Sequence, residues 1–294
     1  MMPLRRFRIH QPREIKEAAE MLAQFGEKGR LYAGGTELLL AMKHDLLRYE
    51  HLVDVKTIPG LDKIELKNST LHIGSIATHR SIENSPLIRE HFPVIAEMER
   101  HVANVRVRAT GTLGGNLCFA EPHSDPATLL LALRAKARVQ GSKGERTLEM
   151  DELVAGAYET SLAADEILTA VAIPLSAKPR RAAYLKFQIH ERPTLGLALV
   201  LELDDGQNIK AARAVVGSVS PKPCRSDKAE ALLAGPRDKV EKQLPHAAKA
   251  LAEAADPVDD LEGSAEYKRH LIGVFLRRAF DRALQRPTAH GQWQ

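Results

Sequence analysis

Cysteine is scarce: only Cys118 and Cys224 occur in 294 residues. Two thiols cannot hold an iron–sulfur cluster, which takes four cysteine ligands, and they do not make a disulfide scaffold. A reducing compartment is the expectation. Aromatic residues make up 4% of the chain, which leaves few platforms for stacking single-stranded bases. Excess charge is also thin: 42 Lys and Arg against 38 Asp and Glu give +4. That balance argues against nucleic acid as a partner and leaves room for an anionic ligand or an acidic protein. Long apolar runs are missing too. The longest, from Leu195 to Leu201, is seven residues with a glycine inside it, whereas a membrane span needs about twenty. The basic stretch Met1 to Arg8 is not followed by the apolar segment of a signal peptide. The protein is expected to be cytoplasmic, with no membrane span.

Familiar catalytic signatures are absent as well. The sequence contains no Gly-x-Gly-x-x-Gly fingerprint, no P-loop, no His-Glu-x-x-His, no zinc-spaced Cys/His cluster and no Gly-x-Ser-x-Gly elbow. Its 12 histidines are scattered; His79, His101, His123 and His190 read as surface or hydrogen-bonded residues. Cys118 reads as a small buried thiol that could also line a ligand. No catalytic residue and no metal ligand is assigned.

What is present is an ordinary globular composition, 44% hydrophobic and 27% charged, at a length that suits two domains. The reading is α+β. In the first half, short strands alternate with short helices: a strand over Arg30 to Ala33, a helix over Thr36 to Lys43 capped by Thr36, a strand over His51 to Val55, and a hairpin around Lys67-Asn68-Ser69. Helices are expected over Pro93 to Ala103, where apolar residues recur every three to four positions, and from an Asp125 cap with Pro126 in the first turn through Arg134. Strands over Ala137 to Gln140, Arg146 to Glu149 and Ile167 to Ile173 complete a domain over 1–176. Lys178 to Arg181 reads as a linker. Strands over Ala183 to Ile189, Gly196 to Leu203 and Ile209 to Val216 come next. Helices over Ser226 to Leu233, Val240 to Ala255 and Ala265 to Leu284 close a sheet-plus-helices domain over 177–285. Residues 286–294, with Trp293, read as a frayed tail.

Two glycine-rich segments carry the chemistry. In Tyr32-Ala33-Gly34-Gly35-Thr36-Glu37-Leu38 a strand runs through two glycines into a helix start, where exposed amides and absent side chains suit an anion such as a diphosphate. From this segment alone, a tight turn with no ligand is the favoured reading. In Ala109 to Cys118 three glycines and two threonines lie within six residues. That is read as a loop for close approach of a flat or phosphorylated ligand, with a wide structural turn as the alternative. Asn116 there both donates and accepts. Asp125 is a helix cap and a candidate partner for ribose or ribityl hydroxyls. Lys186 is either a solvated strand lysine or a cation facing the ligand.

Taken in order, Ala33 to Leu38, Ile73 to Thr78, Thr112 to Asn116 and Asp125-Pro126-Ala127 resemble the FAD-binding medium subunit of molybdenum hydroxylases, a family that includes the carbon monoxide dehydrogenase flavoprotein and the flavin domain of xanthine dehydrogenase. The resemblance runs from about residue 3 to 285. It implies a two-part FAD-binding domain followed by a smaller domain of a three-stranded antiparallel sheet with a helical bundle. It implies one non-covalent FAD, with molybdopterin and [2Fe-2S] clusters confined to a large and a small partner subunit, in a dimer of heterotrimers. The residues it points to are Leu31, Tyr32, Ala33, Gly34, Gly35, Thr36, Glu37 and Leu38 around the diphosphate. Thr112, Gly114, Gly115 and Asn116 form the second loop, joined by Ala77, Thr78 and Val102. Asp125 goes to the polar chain, Ile167 or Leu168 to the ring region, and Lys186 near the flavin. Many relatives carry an Arg and an Asp where this chain has His190 and Thr194. The implied activity is electron transfer from partner clusters to a final acceptor. A stand-alone FAD-dependent oxidase or reductase and a nucleotide-binding assembly module are the competing readings.

Overall fold

The computed structural model describes residues 4–176, 178–189, 191–204, 206 and 208–285. His190 and the 286–294 segment lie outside the described residues. The first lobe is a three-stranded parallel sheet in the order β1-β3-β2, built from β1 (Arg8–His10), α1 (Ile15–Phe25), β2 (Gly29–Tyr32), α2 (Leu38–Lys43) and β3 (His51–Asp54). In α1 the buried residues Ala18, Ala19 and Leu22 fall on one helical face and pack against Val53, Val55 and Ile58.

The second lobe holds β4 (Ile64–Lys67), β5 (Thr70–Gly74), α3 (His79–Asn84), α4 (Pro86–His91), α5 (Pro93–Arg100), α6 (Val105–Thr110), α7 (Leu113–Phe119), α8 (Asp125–Ala132), β6 (Lys136–Gly141), β7 (Gly144–Glu149), α9 (Met150–Leu153), β8 (Val154–Gly156), β9 (Glu159–Thr160) and β10 (Ile167–Pro174). Five of these strands form an antiparallel sheet, β4-β5-β10-β6-β7.

The C-terminal part comprises β11 (Arg180–Gln188), β12 (Pro193–Leu203), β13 (Ile209–Gly217), β14 (Cys224–Arg225), α10 (Asp227–Leu232), α11 (Arg237–Ala255) and α12 (Ala265–Gln285). Its sheet, β11-β12-β13-β14, is antiparallel. Alternation along β12 is decisive. Ala198 and Val200 pack into the core of the second lobe, while Leu195, Leu197, Leu199 and Leu201 pack under the C-terminal helices. A strand covered on both faces reads as a continuous apolar run, which accounts for the stretch from Leu195 to Leu201. All eight residues of α8 are buried, because this helix lies between the second lobe and the C-terminal sheet.

The structure departs from the sequence reading at several points. The C-terminal sheet has four strands, since β14 adds a short edge where three were expected. Arg180 and Arg181 begin β11 rather than a linker; Arg180 pairs with Glu202 across the ladder. The stretch 109–118 is not a loop. It is the end of α6 and the first turns of α7, with Thr112 as N-cap accepting from the Gly115 amide. Thr36 does not cap α2, which starts at Leu38 with no side-chain cap. Ser124, not Asp125, occupies the N-cap position of α8. The helix expected to run to Ala103 ends at Arg100.

Candidate functional site

The two glycine-rich segments meet. A Cβ on Gly34 would sit 2.8 Å from the Gly111 Cα and closer still to the Thr110 carbonyl. The first turn, after β2, therefore lies directly on the α6–α7 junction. Packing sets the second segment too: a Cβ on Gly114 would meet Ser75 at 2.7 Å, and one on Gly115 would meet Thr112 Oγ1 at 2.8 Å. The small surface expected to await a ligand is in good part filled by neighbouring backbone.

The amides divide the two segments sharply. At the start of α7, Leu113 donates to the Ala77 carbonyl, Gly114 to Ser75, Gly115 to Thr112 Oγ1 and Asn116 to the Thr112 carbonyl. These groups are satisfied internally and are not an anion site. In the first turn, the amides of Gly34, Gly35, Thr36 and Glu37 have no hydrogen-bond partner among the described residues. Gly35 has a φ of 70°, which glycine adopts without cost to a side chain, and the turn stays partly open, with Glu37 exposed. Four consecutive open N–H groups on a strand-to-helix turn suit a polyanionic ligand. Lys56, which the sequence reading did not single out, braces this turn. Its Nζ donates to the Ala33 carbonyl at 3.0 Å and to Asp54 Oδ1 at 2.7 Å, and lies 3.7 Å from the centre of the Tyr32 ring.

From α7 the site gains a polar side chain. Asn116 Oδ1 accepts from Ser124 Oγ at 2.6 Å, which leaves the amide nitrogen of Asn116 to donate elsewhere. Asp125 is 4% exposed and is engaged within the protein. Tyr184 Oη donates to its Oδ1 at 2.6 Å and Lys186 Nζ to its Oδ2 at 2.9 Å. Lys186 also donates to the His101 carbonyl at 2.7 Å. It is thus neither a solvated strand lysine nor a free cation; it ties the C-terminal sheet to α8 and to the end of α5. Burial, then the charge of Asp125, push the Tyr184 phenol well above its usual range, so it remains a donor. Residues 184 and 186 share a strand face, and Gly196 opposite Lys186 makes room for the phenol, since a Cβ there would lie 3.3 Å from Tyr184 Cζ and nearer its oxygen.

Among the other candidates, Leu31, Tyr32, Ala33 and Leu38 are half-buried around the first turn, and Thr78 caps α3 while bridging to Thr112. Ala77, Val102, Ile167 and Leu168 are core residues, between 1% and 6% exposed. Thr194 is buried in β12. Burial pushes the Cys118 thiol up to about 11. Among the described residues no His, Cys, Asp or Glu cluster could hold a metal ion, and no helix is long and apolar enough to cross a membrane.

Comparison with known proteins shows the family. Residues 5–176 match the family described as the FAD binding domain in molybdopterin dehydrogenase, and residues 184–283 match the CO dehydrogenase flavoprotein C-terminal domain. The chain is 31% identical to the carbon monoxide dehydrogenase medium chain of Hydrogenophaga pseudoflava, over 96% of this chain and 98% of that protein. It is 34% identical to the nicotine 6-hydroxylase medium subunit of Paenarthrobacter nicotinovorans, over 94% and 97%. Its fold superposes on a solved carbon monoxide dehydrogenase from Hydrogenophaga pseudoflava, one lacking the Mo-pyranopterin moiety of the molybdenum cofactor, with a TM-score of 0.90, 31% identity and coverage of 97% and 99%. These matches define an FAD-binding chain of mixed helix and strand build. It belongs to the FAD-binding medium-subunit family of the molybdenum hydroxylases, which are multi-subunit oxidoreductases.

Proposed function

We propose that this chain is the flavoprotein electron-transfer subunit of a molybdopterin-dependent hydroxylase or dehydrogenase, standing between iron–sulfur clusters on a small partner and a final electron acceptor. The observation that carries the reading is the set of four open amides at Gly34 to Glu37. In it, the FAD diphosphate takes those amides, Lys56 adds positive charge beside them, and the Asn116 side-chain amide donates to a polar group of the same ligand. Bound flavin supplies both one- and two-electron chemistry. The chain's own part is to bind, orient and shield. Asp125 and Lys186 act on the cofactor through the position they give each other, since the Asp125 carboxylate is already occupied. The sequence carries none of the familiar motifs for substrate acid–base or nucleophilic chemistry, which favours a subunit over the stand-alone oxidase. The partners are then a large molybdopterin subunit and a small iron–sulfur subunit, in a dimer of heterotrimers, and the FAD is non-covalent.

The test has two parts. Heating purified protein should release free FAD into the supernatant; flavin that stays with the precipitate would refute non-covalent binding. The isolated FAD-loaded chain should not oxidise aldehydes, purines or N-heterocycles, and the native complex should contain two further kinds of chain. Robust turnover by the isolated chain would favour the stand-alone oxidase.

A further inference from the structure

Behind the meeting of the two turns lies a buried imidazole that no part of the reading so far employs. His79 opens α3 and is 2% exposed. Its backbone N–H donates to the Gly111 carbonyl, and its Nδ1 lies 2.7 Å from Glu99 Oε2. Glu99, on α5, is 0% exposed. The other ring nitrogen, Nε2, has no hydrogen-bond partner among the described residues. The ring edge carrying it is placed by Gly111: the point where a Gly111 Cβ would stand is 3.2 Å from His79 Cδ2, the carbon bonded to Nε2, and 3.5 Å from Thr36 Oγ1. The Cδ2 side of the imidazole and the Thr36 hydroxyl therefore lie near the same point at the α6–α7 junction.

We propose that His79 is a cofactor-contacting residue, donating an Nε2–H hydrogen bond to the diphosphate of the dinucleotide at the Gly34–Glu37 turn, with Glu99 as the residue that positions it. The inference rests on the FAD reading above. The protonation state follows from burial. A histidine–carboxylate pair with one net negative charge would have Nδ1–H facing the carboxylate and a bare Nε2. With one more proton the pair is neutral overall, and whether that proton rests nearer Nδ1 or Oε2, Nε2 carries hydrogen. Desolvation favours the neutral pair, and burial pushes the Glu99 carboxyl upward in agreement.

The surrounding charges fit. On α3, Glu83 lies within 4 Å of three cations, Arg80 on the same helix, Arg100 on α5 and Arg108 on α6, so its charge is compensated locally. On α4, Arg89 is turned to the Glu83 carbonyl and Asn84. On α8, Asp125 raises the Glu99 carboxyl further, while its own charge is matched by Lys186. No cation is paired with Glu99 itself among the described residues, so the extra proton is what balances its carboxylate.

The test is FAD and ADP affinity of the apo chain, read by flavin fluorescence quenching and by competition at one fixed pH. His79→Leu alone would strand a buried carboxylate, so the double variant His79→Leu/Glu99→Leu is used, which keeps bulk and removes both polar groups. It should keep its circular dichroism, lose FAD affinity by a factor on the order of ten to one hundred, as for a hydrogen bond to a charged group, and lose ADP affinity in parallel. His79→Gln combined with Glu99→Leu, which places an amide nitrogen near the Nε2 position without stranding a buried carboxylate, should recover part of the affinity. A double variant that binds FAD and ADP as wild type does would overturn the assignment while leaving the FAD reading intact. Failure of wild type to bind FAD at all would remove both.

Discussion

The Tyr184 phenol and the missing side chain at Gly196 make a quantitative test of how the two domains are joined. Tyr184→Phe removes the donor to Asp125 Oδ1 and leaves the Lys186 bond at 2.9 Å in place. A buried hydrogen bond to a charged group is worth about 1.5–3 kcal/mol, so Tyr184→Phe should destabilise by about that much. Gly196→Ala in wild type forces a methyl onto the phenol oxygen. Ala198 and Val200 on one face and Leu195 and Leu197 on the other are enclosed, so the strand has little room to give, and overpacking of this kind costs about 1–3 kcal/mol. In the Tyr184→Phe background the oxygen is gone and the nearest ring atom is Cζ, at 3.3 Å. There the added methyl faces only a tight carbon contact, and replacing a strand glycine recovers roughly 0.5–1 kcal/mol of chain entropy. The double variant should therefore be more stable than the sum of its parts predicts, with a coupling of about 1–3 kcal/mol. Urea midpoints from far-ultraviolet circular dichroism on the four proteins measure it. Equal costs for Gly196→Ala in both backgrounds would show that the phenol does not occupy the space the glycine leaves.

Gly34→Ala should weaken FAD binding and lower the melting temperature together, because its methyl would meet the Gly111 Cα at 2.8 Å and pry the two turns apart; intact affinity would refute the apposition. Lys56→Met should keep the fold but weaken FAD by a few-fold, consistent with about 0.5–1 kcal/mol for a partly exposed charged contact; unchanged affinity in a fluorescence titration would count against its bracing role. Half-buried Cys118, with its thiol pushed up to about 11, should be overwhelmingly protonated near neutral pH. It should alkylate in native protein far more slowly than after unfolding, and rapid native labelling seen by mass spectrometry would contradict this. His10 is held below its usual value by burial, with the His51 ring and Arg8 adding to the effect. The folded protein then binds fewer protons there than the unfolded chain, so stability present above about pH 6.5 should be lost as the pH falls. The urea midpoint should fall less steeply with acid in His10→Gln than in wild type.

Much of the fold is legible in the residues, and the rest is hidden for identifiable reasons. The β4–β5 hairpin, β6–β7 and β10 follow from turn residues and alternation. The double face of β12 is also written out: seven apolar residues in a row have no polar side to offer water. The second glycine segment misleads because a run of Gly and Thr has the composition of a loop, while what makes it helical is long-range. Thr112 caps the helix, and Ser75 and Ala77 accept from its first amides. No local pattern encodes those partners. Asp125 before Pro126 has the form of a cap, but Tyr184 and Lys186, 59 and 61 positions away, claim its carboxylate. At the first turn the glycines at the end of a strand are a readable signal of open amides, while Lys56 is found only once β3 is laid beside β2. The pairing of His79 with Glu99 spans 20 residues and leaves no trace in spacing.

The burial of α8 has a consequence for how the chain is made. All eight residues of this helix are covered in the finished protein, and part of the cover belongs to strands synthesised later. Thr128 on α8 fits against Gly217 of β13, 89 positions further along (217 − 128). At roughly 5–20 residues per second, the ribosome delivers that strand about 4–18 s after the helix. During that interval Leu129, Leu130 and Leu131 are in a nascent chain whose sheet cover does not yet exist, and Asp125 has neither its phenol nor its lysine. The first domain therefore emerges as an open-sided intermediate with an apolar helix on its rim. Truncation after residue 176 would make that transient state permanent, which marks the fragment as a poor candidate for separate expression, however domain-like its sequence reads.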